Sequence, residues 1–209
     1  MIAIIDYGAG NLQSVCNTLN FIGCPWTVTS DPAEILSADG AILPGVGAFG
    51  SAMSEMERKG LVETVRAAAI SGRPFVGICA GMQLLFEESE ESPGVPGLGI
   101  LRGKVIRFPS EKGLKIPHMG WNSIRVKKAS RLLGKLPDQP YMYFVHSYYV
   151  KADDEEAVSA VSEYGTTFDA AVEQDNLFGF QFHPEKSGTG GISILRRFAE
   201  LAELAGGCR

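Results

Sequence analysis

The 209-residue chain is 45% hydrophobic and 21% charged, with 19 Lys and Arg against 24 Asp and Glu and a formal net charge of -5. That is ordinary soluble composition, and the length suits one large domain over residues 1–209. No basic block is present to follow a phosphate backbone, and no run of 18 apolar residues is present to span a bilayer, so neither nucleic acid nor membrane is expected as a partner.

The N-terminus, MIAIIDYG, lacks the basic lead and cleavage pattern of a signal peptide and reads as a strand over residues 2–6. After YGAGN a helical pattern runs to about residue 21. WTVTS, 26–30, is rich in β-formers. Asp31 and Pro32 then open a short helix, with a capping acceptor and an early proline. GAILPGVG, 40–47, is a buried strand that stops at Pro-Gly. Helical patterns follow over 51–57 and 61–70, and Gly72 ends the second. PFVGIC, 74–79, is the next strand and GMQLLFEE the next helix. Strands apolar on both faces, alternating with helices, specify a parallel sheet under helical cover.

The pattern changes after Phe86. EESEESPGVPGLG is acidic, then rich in Pro and Gly, and reads as a solvated loop. The β-like runs ILRGKVIRFP, WNSIRV, YMYFVHSYYV, AVSAVSEYG, TFDAAVEQ and LFGFQFHP follow without a long helix between them. Residues 187–191 read as a flexible turn, and ISILRRFAELAELAG closes the chain as an amphipathic helix. The expected fold is α/β. It has a doubly wound open sheet, mostly parallel, with helices on both faces and an added antiparallel or mixed β portion in the C-terminal half.

Cys16, Cys24, Cys79 and Cys208 match neither a metal pattern nor a disulfide framework, which fits a reducing, cytoplasmic setting. Cys16 and Cys24 are expected as small buried hydrophobes, and Cys208 in the polar tail as exposed. Cys79 is different. It stands at the seam of a strand and a helix, between Gly77 and Gly81, as in a G-x-nucleophile-x-G elbow. Glycines there let the chain turn sharply and lift one side chain above the sheet. Unpaired amides at the following helix start would favour a thiolate, and the Ala80 N–H would meet an oxyanion. A packed core cysteine remains the alternative.

A nucleophilic thiol needs a base, and the chain has three histidines, His118, His146 and His183. His183, in FGFQFHPEK, alternates with the phenylalanines, and Glu185 falls on its own side if the chain stays extended. Cys79, His183 and Glu185 therefore form a chemically complete set, although a surface His–Glu pair would leave the same pattern. His146, in an aromatic strand, reads as a satisfied half-buried histidine. His118, in IPHMGWN, is a loop histidine that sequence chemistry does not single out. The glycine-rich turn LPGVGAFGSAM offers the amides of Gly45, Val46 and Gly47 as an anion nest. It lacks the Gly-Lys-Ser/Thr of a P-loop, and YGAGNLQ lacks the third glycine of a dinucleotide fingerprint. No cofactor or metal is expected.

GICAGMQLLF, the PGVG turn and FQFHPEKS together resemble the class I glutamine amidotransferases of the triad type, over essentially the whole chain. DYGAGNLQSV, PGVGAFGSAM, IPHMGWN and YFVHSYY are similar to the branch that serves an imidazole-forming cyclase of histidine biosynthesis. The resemblance implies that Cys79 attacks the side-chain amide of glutamine, that His183 moves protons and that Glu185 orients it. It places Val46, Gly47 and Ala80 at the oxyanion hole and Gln83, Ser147 and Tyr148 at the glutamine pocket. Asn11, Trp121, Tyr143 and Lys186 fall at the contact with a synthase partner. That partner would be a (β/α)8-barrel cyclase forming a heterodimer, which takes the ammonia and makes imidazole glycerol phosphate and aminoimidazole carboxamide ribotide. A glutaminase serving another synthase, a free-standing thiol hydrolase and a non-catalytic scaffold are the competing readings.

Overall fold

The computed structural model describes residues 1–8, 10–110 and 113–207, so Cys208 lies outside the described residues. The first half runs β1 (Ile2–Ile5), α1 (Leu12–Ile22), β2 (Trp26–Thr29), α2 (Pro32–Ser37), β3 (Gly40–Gly45), α3 (Phe49–Arg58), α4 (Val62–Ala69), β4 (Phe75–Cys79) and α5 (Ala80–Gln83). The second half runs β5 (Glu88–Ser89), β6 (Gly103–Arg107), β7 (His118–Ser123), β8 (Arg125–Val126), β9 (Tyr141–His146), β10 (Tyr148–Ala152), β11 (Val158–Glu163), β12 (Thr167–Gln174), β13 (Leu177–Phe180) and α6 (Gly188–Gly207).

The order β2-β1-β3-β4-β13 is parallel throughout. Across β13 the sheet turns antiparallel through β12, β10 and β6, with β11 and β8 branching from β12. This is the expected α/β architecture. Along β1 and β3 successive residues face opposite layers: Ile2, Ile4 and Ile42 pack with α1 and α6 residues, while Ile5, Ala41 and Leu43 pack with α3 and α4 residues. α3 buries Phe49, Ala52, Met53 and Met56, one apolar stripe at helical spacing. Asp31 caps α2 as expected, accepting from Ala33 N at 2.7 Å. Cys16 and Cys24 are buried and free, and burial pushes both thiols up.

Four local expectations change. The helix read over GMQLLFEE ends at Gln83. Met82, Leu84, Leu85 and Phe86 are all fully buried, so a continued helix would have no polar face. The Leu84 and Leu85 carbonyls instead accept from Leu98 N and Ile100 N, at 2.8 and 2.9 Å. The run YMYFVHSYYV breaks at Ser147: β9 pairs with β7 as a separate ribbon, and β10 joins the main sheet. Residues 188–191 form the first turn of α6 rather than a flexible turn, because Gly191 packs against the Pro184 carbonyl, 1.9 Å from where a Cβ would stand. The acidic loop is only partly solvated. Glu91 Oε2 and Ser92 Oγ accept from Phe49 N and Gly50 N at 2.8 and 2.9 Å, capping α3.

Beside the β4–α5 turn the backbones touch. A Cβ on Gly81 would lie 1.9 Å from the Leu43 carbonyl oxygen, and one on Gly45 would lie 2.3 Å from Gly81 N. Backbone cannot yield as a flexible side chain would. Gly81→Ala is therefore expected to lower the unfolding free energy by about 3 kcal/mol in a urea titration. A loss below about 0.5 kcal/mol would contradict this packing.

Candidate active site

Cys79 is the last residue of β4 and stands at φ 54 and ψ -111. This left-handed conformation is costly for a residue with a side chain. Register sets Gly45 of β3 beside it, and the glycine contacts above hold the turn closed. Because α5 has a single turn, the fixed charge at its N-terminus comes from unpaired amides rather than from a long helix dipole.

The thiol opens on a cavity of about 390 Å³, and only 7% of the residue is exposed. Val46, Gly47, Cys79, Ala80, Gln83, Ser147, Tyr148 and His183 all line that cavity. Eight residues singled out from the sequence thus line one cavity. Cys79 Sγ accepts from Gln181 Nε2 at 3.8 Å and lies 3.9 Å from the Val145 carbonyl. Gln83 Nε2 donates to the Tyr148 carbonyl at 2.9 Å and to Gln181 Oε1 at 3.0 Å. No hydrogen bond is made by the N–H of Val46 or Gly47 among the described residues, and Gly47 has φ 91 with open space around it.

His183 lies three residues beyond the end of β13. Its Nδ1 is 2.8 Å from Glu185 Oε1, and both side chains are buried. The extended chain expected between them is instead a 3-10 turn over Pro184–Lys186. Proline starts that turn, and Lys186 N donates back to the His183 carbonyl at 3.0 Å. The backbone of His183 is clamped as well. Its N–H donates to the Tyr143 carbonyl at 2.9 Å, and Ser187 Oγ donates to the His183 carbonyl at 2.6 Å.

Burial opposes a charge on His183, but the sulfur of Cys79 and the carboxylate of Glu185 outweigh it and raise the imidazole to about 9. Nε2 makes no aligned hydrogen bond, so proton exchange with the nearby sulfur needs a small reorientation. A folded value above the ordinary 6.5 means that protonation stabilises the fold. That contribution is complete below about pH 6.5 and is lost as pH rises through about 9. NMR titration should give a His183 midpoint near 9 that falls in Cys79→Ala. A wild-type midpoint at the ordinary 6.5 would contradict the ion pairing.

The sequence reading missed Glu91, which also lines the cavity while its Oε2 caps α3. Its signal was hidden among the four glutamates of EESEE, residues 87–91, with nothing to mark one as inward. Three of the four interface candidates, Trp121, Tyr143 and Lys186, fall near one another. Trp121 and Tyr143 rings meet edge to face at 6.1 Å, and Lys186 Nζ stands 6.0 Å over the Tyr143 ring. Asn11 precedes α1, next to Gly10, whose absent Cβ would face Pro44 at 3.5 Å. Met119, Trp121 and Tyr141 expose more than half of their surface on one face of the β7–β9 ribbon. Among the described residues no group of His, Cys, Asp and Glu could hold a metal ion, and no helix is long and apolar enough to cross a membrane.

The family model for glutamine amidotransferase class I matches residues 3–201. The chain is 51% identical over 200 residues to imidazole glycerol phosphate synthase subunit HisH of Desulfitobacterium hafniense, covering 96% of this chain and 94% of that one. It is 50% identical over 205 residues to the HisH subunit of Moorella thermoacetica, covering 98% and 97%. Among solved structures, a glutamine amidotransferase superposes with a TM-score of 0.75 at 21% identity, over 97% of this chain and all of that one. PurLQS from Thermotoga maritima gives 0.72 at 18%, over 95% and 97%. At those identities the structural matches speak for the fold alone.

Proposed function

The chain belongs to the class I glutamine amidotransferases, and from that premise we propose that it is the glutaminase subunit of an imidazole glycerol phosphate synthase in histidine biosynthesis. The observation that carries the chemistry is one cavity holding a thiol on a strained turn, with an imidazole backed by a buried carboxylate. Identity near 50% over almost the full length of two such subunits carries the choice of branch.

In the proposed reaction Cys79 gives its proton to His183, and its sulfur attacks the side-chain amide carbon of glutamine. The tetrahedral oxyanion is met by the free amides of Val46 and Gly47 and by that of Ala80. His183 returns the proton to the amide nitrogen, the C–N bond breaks and ammonia leaves. A glutamyl thioester remains on Cys79. His183 then takes a proton from water, which attacks the thioester carbon. Glutamate leaves as the sulfur is released. Glu185, 2.8 Å from Nδ1, holds the ring in one tautomer and supports its positive charge.

Glutamine also carries an α-ammonium and an α-carboxylate. Gln83, Ser147 and Tyr148 offer the cavity polar groups, and Glu91 offers it a carboxylate for the ammonium. Glu91→Gln is expected to raise KM for glutamine roughly tenfold with a smaller change in kcat. An unchanged KM would remove Glu91 from the pocket.

Ammonia released in water would be protonated and lost, so the product calls for a receiving subunit. The exposed apolar face of Met119, Trp121 and Tyr141, with Tyr143 and Lys186 beside it, is the docking surface we assign to it, and Asn11 is assigned to the same contact from the family resemblance. The partner is a (β/α)8-barrel cyclase, and the heterodimer acts in the cytoplasm as a lyase fed by channelled ammonia. Reconstitution with that cyclase and its ribulosyl nucleotide tests this. Glutamine should support formation of imidazole glycerol phosphate. Product from ammonium salt but none from glutamine would reject the assignment.

A further inference from the structure

Two of the three histidines have no part in the chemistry above, yet His118 and His146 are both buried. His118 Nδ1 lies 3.1 Å from His146 Nε2, and His146 Nδ1 lies 2.8 Å from the Tyr148 carbonyl. His118 Nε2 lies 3.3 Å from Asn122 Nδ2. The partners fix the direction of every bond. A carbonyl only accepts, so His146 Nδ1 carries the hydrogen and its Nε2 accepts. His118 Nδ1 therefore donates and its Nε2 accepts. Asn122 agrees: its Oδ1 accepts from Ser123 N and its Nδ2 donates to the Glu163 carbonyl, both at 2.8 Å, which leaves one N–H for His118. All four ring nitrogens are satisfied with both rings neutral. Burial keeps them so, holding His118 down to about 4 and His146, next to the other two histidines, to about 3.

The path does not stop at Tyr148. Its carbonyl also accepts from Gln83, which donates in turn to Gln181, whose amide donates to the Cys79 sulfur. We propose that His118 and His146 are positioning residues that fix the Tyr148 carbonyl and thereby aim Gln83 into the glutamine pocket. This rests on reading the cavity as a glutamine site. Packing alone does not require the arrangement. His118 stacks on Phe144 and Tyr164, with ring centroids at 4.9 and 4.1 Å, so a phenylalanine would fill its place. It would, however, leave His146 Nε2 without its donor and free that ring to change tautomer.

The test compares His118→Phe with His118→Asn in the reconstituted complex, where an Asn amide can stand in for the Nδ1 donor. In His118→Phe, KM for glutamine should rise about tenfold while kcat stays within about threefold; in His118→Asn both should stay within about threefold of wild type. A wild-type KM in folded His118→Phe overturns the proposal, as does an equal loss of kcat in both variants. If His118→Phe does not fold, His146→Gln is read in the same way. It keeps the acceptor for His118 and loses the donor to Tyr148, and His146→Asn restores that donor. A wild-type complex inert toward glutamine would instead reject the function proposed above.

Discussion

Cys79→Ala should reduce glutamate release from glutamine by about ten-thousandfold, because loss of a covalent nucleophile removes both half-reactions at once. The fold should survive, since alanine fills part of a site whose lining is already open on one side. The left-handed backbone at this position strains alanine as it strains cysteine. The complexed variant should still close the imidazole ring when ammonium salt is supplied, since the proposed assembly leaves ring closure to the partner. That contrast separates a chemical loss from an unfolded chain. A variant that kept even a tenth of the wild-type rate would return Cys79 to the role of a core residue.

Partner binding should raise glutaminase turnover by about a hundredfold over the isolated chain, the effect of one oxyanion donor brought into place. The reason lies in where the docking face connects. Tyr143 is in the proposed interface, and its carbonyl accepts from the His183 N–H while its own N–H donates to Ser187 Oγ at 3.0 Å. Val46 is 41% exposed and lies on the same turn as the open Gly47. A partner seated there would touch the peptides that must meet the oxyanion, and losing one such donor costs about a hundredfold or more in comparable hydrolases. Turnover equal in the free and complexed chains would mean that the turn is already set for catalysis. Trp121→Ala should weaken the stimulation and leave the free chain's turnover unaltered.

The parallel half of the fold was readable because its signals are local. β1, β3 and β4 are short apolar runs, and Pro32, Gly72 and Gly81 punctuate them at the expected places. Cys79 was readable for the same reason: two glycines flank it at a change of period. What escaped was set by contacts between distant segments. The stop of α5 at Gln83 depends on amides 14 to 15 residues further on, at Leu98 and Ile100. The split at Ser147 depends on pairing of β9 with β7 and of β10 with β6. His183 and Glu185 meet as foreseen, but through a turn rather than along a strand. Glu91 and the His118–His146 pair draw their meaning from partners 42 and 28 residues away, and no spacing rule reports that.

Rapid acid quench of the complex during glutamine turnover, followed by peptide mass spectrometry, reaches the central claim most directly. The peptide containing Cys79 should carry the added mass of one glutamyl group in the wild-type complex, and the adduct should be lost in His183→Ala, because His183 serves the formation of the thioester as well as its hydrolysis. Full-rate hydrolysis with an unmodified Cys79 peptide at every quench time would contradict it.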